Sequence, residues 1–205
     1  MTKIAVFISG RGSNFVSLHK NIKNGYIKDA EICVVFSNNP NAKGIEYAKN
    51  ENIPVVVISS KGRKDREQYD IEAACAIAAY EPDLICLAGY MRIVTNELVS
   101  RYKNKIMNIH PALLPSFTGL DAQKQALDYG VRFSGCTVHF VDCGVDTGPI
   151  ILQAVVPVLP DDTEDSLSER ILAEEHKLYP KAVKLFACGA IQVDGRQVKI
   201  TEQER

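Results

Sequence analysis

The sequence predicts an α/β protein built on a doubly wound, mostly parallel sheet with an antiparallel C-terminal part. Three observations carry that expectation. Apolar, β-branched runs alternate with helical stretches through the first 110 residues, the rhythm of a parallel sheet whose crossovers are helices. Two later runs, SGCTVHFVD (134–142) and PIILQAVVPVL (149–159), are joined only by CGVDTG. That link is too short for a crossover, so the pair forms a hairpin. A long helical pattern over 163–187 then gives way to IQVDGRQVKI, a closing hairpin with an Asp194-Gly195 turn.

The parallel strands are KIAVFIS (3–9), EICVVFS (31–37), PVVVIS (54–59), DLICLAG (83–89) and KIMNIH (105–110). Helices are expected over 14–24, 42–51, 66–80 and 94–102. The third is signed by Ile71, Ala74, Cys75, Ala78 and Ala79 at helical spacing, with Pro82 just beyond. The 163–187 helix has an acidic entry, PDDTED, suited to capping and to the helix dipole. Pro180 is expected to kink that helix or split it. No repeat or linker interrupts the chain, so 1–205 is read as one domain with a parallel half, 1–110, and a C-terminal half, 111–205. Ligands of open α/β sheets gather beyond the carboxyl ends of the strands, which nominates 9–14, 37–40, 59–66, 89–92 and 108–114.

Composition removes several function classes. The 24 Lys and Arg against 25 Asp and Glu leave a net charge of -1, so no global field draws nucleic acid or an anionic membrane. The cluster KGRKDRE (61–67) lacks interleaved aromatics and is read as a solvated loop. The six cysteines form no Cys-x-x-Cys pair. Cys33, Cys75, Cys86 and Cys188 are read as small, reduced core residues. His19 is expected at the surface, His139 in a structural role within its strand, and His176 on the long helix beside Glu174 and Glu175. None has ligand spacing, so no metal is expected. The N-terminus lacks the pattern of a secretion signal and no apolar run has membrane-spanning length, which predicts a cytoplasmic protein.

Three segments carry candidate chemistry. ISGRGSN (8–14) follows the first strand and opens a helix. Its glycines permit close backbone approach, and amides at a helix N-terminus attract a phosphate. A dinucleotide fingerprint fails, because Phe15 stands at the third glycine position and no acid ends the second strand; a Walker loop fails too. The alternative is an ordinary strand-to-helix turn with Ser13 or Asn14 as N-cap. In NIHPALLP (108–115), residues two apart on a strand face one side, so Asn108 and His110 project together and Pro111 ends the strand. An amide donor beside an imidazolium can stabilise an oxyanion; the alternative is a buried pair satisfied by backbone carbonyls. DCGVDTG (142–148) offers two carboxylates. One of them near His110 would orient it and favour its charged form, although turn chemistry alone also selects Asp and Gly. The absence of a Gly-x-Ser-x-Gly elbow argues against an α/β-hydrolase.

ISGRGSN, AGYMRIV (88–94), MNIHPALLP (107–115), TVHFVDCGVDTGPIILQ (137–153) and EEHKLYP (174–180) occur in that order. Together they resemble the phosphoribosylglycinamide formyltransferases, folate-dependent enzymes of purine synthesis with a Rossmann-like formyltransferase fold. The likeness runs over essentially the whole chain. It implies transfer of a formyl group from 10-formyltetrahydrofolate to the amine of 5'-phosphoribosylglycinamide, giving the N-formyl product and tetrahydrofolate, without a metal. It implies that Asn108, His110 and Asp146 are catalytic. Gly12, Ser13 and Asn14 would hold the ribose phosphate, with Glu175 on the glycinamide or ribose side. Folate would lie along Arg66, Met91, Arg92, Ile93, Val94 and Asn108, and along Asp142, Cys143, Gly144, Val145 and Asp146. The half 1–110 thereby becomes the phosphate-binding half and 111–205 the folate-binding half. Small molecules are the expected partners, and a monomer or homodimer the expected state.

Two departures from the family pattern are Ala112, where Ser is frequent, and Thr118, where Pro is common; both bear on loop geometry alone. Two related enzymes and a binding module are the rivals. A methionyl-tRNA formyltransferase would be expected to add an RNA-contacting C-terminal domain and a basic surface. A formyltetrahydrofolate hydrolase would be expected to place a regulatory domain before the first strand, which here begins at Lys3. A non-catalytic folate- or nucleotide-binding module would not need Asn108, His110 and Asp146 poised together.

Overall fold

The computed structural model describes residues 1–201; residues 202–205 of the expected domain lie outside the described residues. The chain divides into two compact units, Met1–Asn108 and Ile109–Arg205.

In the first unit β1 (Thr2–Ile8), β2 (Ala30–Ser37), β3 (Val55–Val57), β4 (Leu84–Leu87) and β5 (Ile106–His110) alternate with four helices. These are α1 (Ser13–Lys23), α2 (Gly44–Asn50), α3 (Arg66–Ala78) and α4 (Asn96–Arg101). All pairings are parallel, in the order β3-β2-β1-β4-β5; β5 runs past the unit boundary to His110. The central strand shows why its sequence is an unbroken apolar run: every side chain from Ile4 to Ile8 is fully buried, as helices covering both faces require. Phe7 and Phe36 meet at 4.5 Å between ring centroids, which locks β1 to β2 above the backbone ladder.

Helix α3 corrects the expected stripe. Its buried residues are Tyr69, Asp70, Ala73, Ala74 and Ile77, so only Ala74 of the predicted stripe faces the core, and Cys75 is exposed. Small Ala and Cys side chains carry little apolar area, and the larger Tyr69 and Ile77 fix the orientation. Asp70 is buried because it has a partner: its carboxylate accepts the Thr95 N–H at 2.6 Å, at the entry to α4. Cys188 is exposed as well, because it lies just past the last helix and off its packed face.

The second unit contains α5 (Ala122–Tyr129), β6 (Phe133–Phe140), β7 (Ile150–Pro157), α6 (Glu164–Ala187), β8 (Ile191–Asp194) and β9 (Gln197–Ile200). Helix α5 was not anticipated; it is short and closes at Gly130 with φ 77°, a left-handed cap that only glycine adopts at no cost. The pair β6–β7 is antiparallel, as expected, with a register shift between Val138 and His139. Helix α6 starts at a capping box in which Thr163 and Ser166 bond reciprocally, and it continues through Pro180 as one helix. The closing hairpin turns one residue later than expected: Asp194 still pairs with Gln197, leaving Gly195 and Arg196 as the loop. A mostly parallel sheet with an antiparallel C-terminal part is therefore what the structure shows. No helix among the described residues is long and apolar enough to cross a membrane.

Candidate active site

Strand β5 delivers the first pieces. His110, its last residue, is 4% exposed, so its contacts rather than water define it. Its Nδ1 stands 3.4 Å from Asp146 Oδ2, and its Nε2 lies 2.8 Å from the Phe117 carbonyl oxygen. A carbonyl only accepts, so Nε2 carries a proton. Asn108 sits two residues back on the same strand. The structure thus brings His110 and Asp146 together as expected.

The segment after β5 is fixed by a buried hydroxyl. Thr137 Oγ1 donates to the Ala112 carbonyl at 2.7 Å. It accepts from the Leu114 N–H at 3.1 Å and from Gln153 Nε2 at 3.0 Å. This network holds the chain that leads to Phe117. Asp146 is held in turn: the Gly119 N–H donates to its Oδ2 at 2.8 Å. Phe117 and Asp146 both have positive φ, 55° and 54°. For a bulky Phe this conformation is strained, of the kind that gathers at functional sites. Gly148 lets the turn close, since a Cβ there would collide with the Phe140 carbonyl.

His139 was expected to be structural; it belongs to this cluster. Its Nε2 is 3.7 Å from Asp146 Oδ1, so the two carboxylate oxygens face one histidine each. Its Nδ1 lies 2.9 Å from the Phe140 carbonyl oxygen, which sets the tautomer with the proton on Nδ1. Burial holds its pKa below the ordinary histidine value, against the raising effects of the Phe140 carbonyl and Asp146. No local signal could have found it, because the register shift between Val138 and His139 redirects the strand. The Phe117 and Gly119 contacts were equally hidden, being made by backbone atoms.

The loop 9–14 in the first unit ends β1 and opens α1. Gly12 is the N-cap, with φ 72° and no side-chain cap bond, so the alternative, a turn capped by Ser13 or Asn14, is not what forms. Gly12 also approaches α2: a Cβ there would stand 3.3 Å from Gly44 Cα. The first turn of α1 carries no acidic residue. Backbone amides at such an uncapped helix start suit a phosphate. Ser9 ties this loop to the motif at 88–94: its hydroxyl donates to Asn38 Oδ1 at 2.6 Å and accepts from the Met91 N–H at 2.7 Å.

The remaining predicted residues are distributed as follows. Met91 is 69% and Ile93 51% exposed, whereas Val94 is buried and can offer a ligand only its backbone. The Arg92 guanidinium stacks on the Tyr69 ring, 4.1 Å from its centroid, while its Nε and Nη2 are buried without a hydrogen-bond partner among the described residues. Arg66 is exposed at the start of α3, and Glu175 is buried on α6. Asp142 serves its own turn, accepting from the Gly144 N–H and the Thr147 hydroxyl. Cys143 and Val145 are exposed.

Two of the cysteines are poor nucleophiles. Burial, with Glu175 and Glu174 nearby, pushes the Cys136 thiol up to about 12, and burial raises Cys33 to about 11; neither forms a thiolate near neutrality. His19 is half-buried rather than superficial, its Nδ1 3.0 Å from the Tyr47 hydroxyl. No group of three or more His, Cys, Asp or Glu able to hold a metal ion exists among the described residues.

A family model described as formyl transferase matches residues 2–183. The crystal structure of glycinamide ribonucleotide transformylase 1 from Symbiobacterium toebii is 46% identical, covers 98% of this chain and 95% of its own, and superposes with a TM-score of 0.95. That of phosphoribosylglycinamide formyltransferase from Anaplasma phagocytophilum is 44% identical, with 100% and 96% coverage and a TM-score of 0.89. The trifunctional purine biosynthetic protein adenosine-3 of Drosophila melanogaster is 47% identical over 91% of this chain, which spans 14% of that protein's length. With a formyl transferase match over nearly its whole length and near-complete overlap with these enzymes, the chain belongs to the formyl transferase family, among the phosphoribosylglycinamide formyltransferases.

Proposed function

We propose that the chain transfers the formyl group of 10-formyltetrahydrofolate to the amine of 5'-phosphoribosylglycinamide, as a cytoplasmic enzyme of purine biosynthesis acting on small molecules as one formyltransferase domain. The observation that carries this reading is the His110–Asp146 pair at the end of β5, 3.4 Å apart. Attack of an amine on a formyl carbon builds negative charge on the former carbonyl oxygen. Asn108 offers that oxygen an amide N–H, and His110 offers the proton on Nε2, a charge-assisted donor when the ring is protonated. In the structure that proton points to the Phe117 carbonyl; the oxyanion takes the donor in its place. Asp146 holds the ring from the Nδ1 side.

The phosphate of the amine substrate is assigned to Gly12, Ser13 and Asn14, and Glu175 to its glycinamide or ribose part. 10-Formyltetrahydrofolate supplies the formyl group. Its candidate holders are Arg66, Met91, Arg92, Ile93, Val94 and Asn108, together with the loop Asp142 to Asp146. The exposed apolar Met91 and Ile93 fit a ligand with an aromatic ring system.

The test is an assay of the purified chain with both substrates, following folate deformylation with and without the amine. One formylated amine per folate released is expected. Amine-independent release would make the chain a hydrolase, and no release would make it a binding module.

A further inference from the structure

Two backbone groups of one short segment reach the candidate catalytic pair. The Phe117 carbonyl oxygen lies 2.8 Å from His110 Nε2, and the Gly119 N–H donates to Asp146 Oδ2 at 2.8 Å. Neither group moves independently of the chain that carries it, so the geometry around His110 and Asp146 depends on how that segment is held. Its own backbone does not hold it. Phe117 has φ 55°, Gly119 φ 81° and Asp121 φ 54°. A non-glycine residue keeps such a left-handed backbone only where its surroundings impose it.

Upstream, the Thr137 network fixes the chain as far as Leu114. Downstream, the hold comes from α5. Gln125 Nε2 donates to the Leu120 carbonyl at 2.8 Å and to the Thr118 carbonyl at 3.2 Å. These two carbonyls flank Gly119, so a single amide nitrogen spans the residue whose N–H meets Asp146. The reverse orientation of the amide would set its oxygen against two carbonyl oxygens, and an oxygen pair has no donor. One turn further along α5, the Tyr129 ring meets the Phe117 ring edge to face, with centroids 5.9 Å apart. Residues four apart share a helix face, so one face of α5 grips the segment twice, around Gly119 and at Phe117. The helix itself is seated by Ala122 and Ala126, both buried.

Resting on the formyl-transfer reading above, we propose that Gln125 is a positioning residue for that reaction. It acts through the Phe117 carbonyl and the Gly119 N–H, which it fixes against His110 and Asp146.

Two variants of the full chain test this. Gln125→Met keeps the length of the side chain and removes its donors. Gln125→Glu keeps the shape and turns a carboxylate, an acceptor only, toward the same carbonyls. Gln125 is half-buried on the helix surface, so both chains should fold, and melting curves set the assay temperature below the onset of unfolding of all three proteins. In Gln125→Met kcat should fall about tenfold, the scale of one or two neutral hydrogen bonds. In Gln125→Glu it should fall further, toward about a hundredfold, the scale of an ångström's misplacement around a reacting centre. KM for both substrates should stay near wild type. The His110 Nε2 resonance, read by NMR of the ligand-free chain labelled at histidine, should move in both variants as the Phe117 carbonyl shifts; a purely structural role for Gln125 would leave it in place. Wild-type kcat in Gln125→Glu, or a fall in kcat with the His110 resonance unmoved, would overturn the proposal. A wild-type chain that transfers no formyl group would overturn the proposed function instead, and the resonance would then decide the positioning role alone.

Discussion

Under the proposed function the loop 9–14 and the cluster around Asp146 would serve similar ends, each presenting donors to negative charge, and they are built from different materials. The loop is one contiguous segment whose backbone is shaped by Gly12 at φ 72° and tied down by Ser9. The cluster draws side chains from β5, β6 and the 142–148 turn, and backbone groups from Phe117 and Gly119. A backbone site depends on conformation and on the sign of nearby charge, and tolerates changes of side-chain identity. A side-chain site depends on single atoms.

The largest effects should therefore come from single-atom changes at the cluster. Asp146→Asn is an informative variant because Asn, like Asp, accepts the positive φ this position requires, so the change removes charge and leaves the backbone alone. Together with His110→Ala, it should lower kcat by about two orders of magnitude or more, the scale of a lost oxyanion donor or general acid. Steady-state kinetics of both variants suffice. Near-wild-type turnover in the pair would move the chemistry away from β5.

The loop should respond to charge instead. Ser13→Asp places a carboxylate in the first turn of α1, where the helix dipole welcomes it, so the fold should hold. The same carboxylate repels a bound phosphate. KM for the phosphorylated amine should rise about tenfold or more, from like charges a few ångströms apart in a partly screened site, while KM for the folate stays near its wild-type value. Equal rises in both would place the phosphate elsewhere and erase the contrast between the two regions.

The same contrast explains what was legible in the sequence. The loop could be read because strand, glycines and helix are consecutive; the side-chain cap weighed as its alternative does not form, since a left-handed glycine takes that place. Asn108 and His110 were readable because a strand's period of two is local. Asp146 was a candidate on turn chemistry but could be chosen over Asp142 only by resemblance; the structure gives the physical reason, as Asp142 is spent on its own turn. His139 was missed because a register shift, invisible in one sequence, aims it at Asp146. Helix α5 and the packed face of α3 were lost to weak patterns, the first because it is short, the second because Ala and Cys mark either face equally well.

The smallest effect concerns His139, and it separates a histidine held neutral by burial from one that shares charge with Asp146. Burial is the dominant influence and lowers its pKa in the folded chain; unfolded, the ring returns to about 6.5. Between those two values the unfolded chain binds a proton that the folded chain does not, so stability falls as pH drops below about 6.5 and is fully present above it. His139→Gln removes that linkage. Melting temperatures taken from pH 8 to pH 5 should decline less steeply in the variant than in the wild type, with the curves closest in slope above pH 7. His19, also lowered by burial, contributes the same slope to both proteins and cancels in the comparison. Should the variant instead fall more steeply on acidification, His139 would be gaining a proton in the fold. Asp146 would then pair with a charged His139 ring, and the cluster would resemble the loop in answering to net charge.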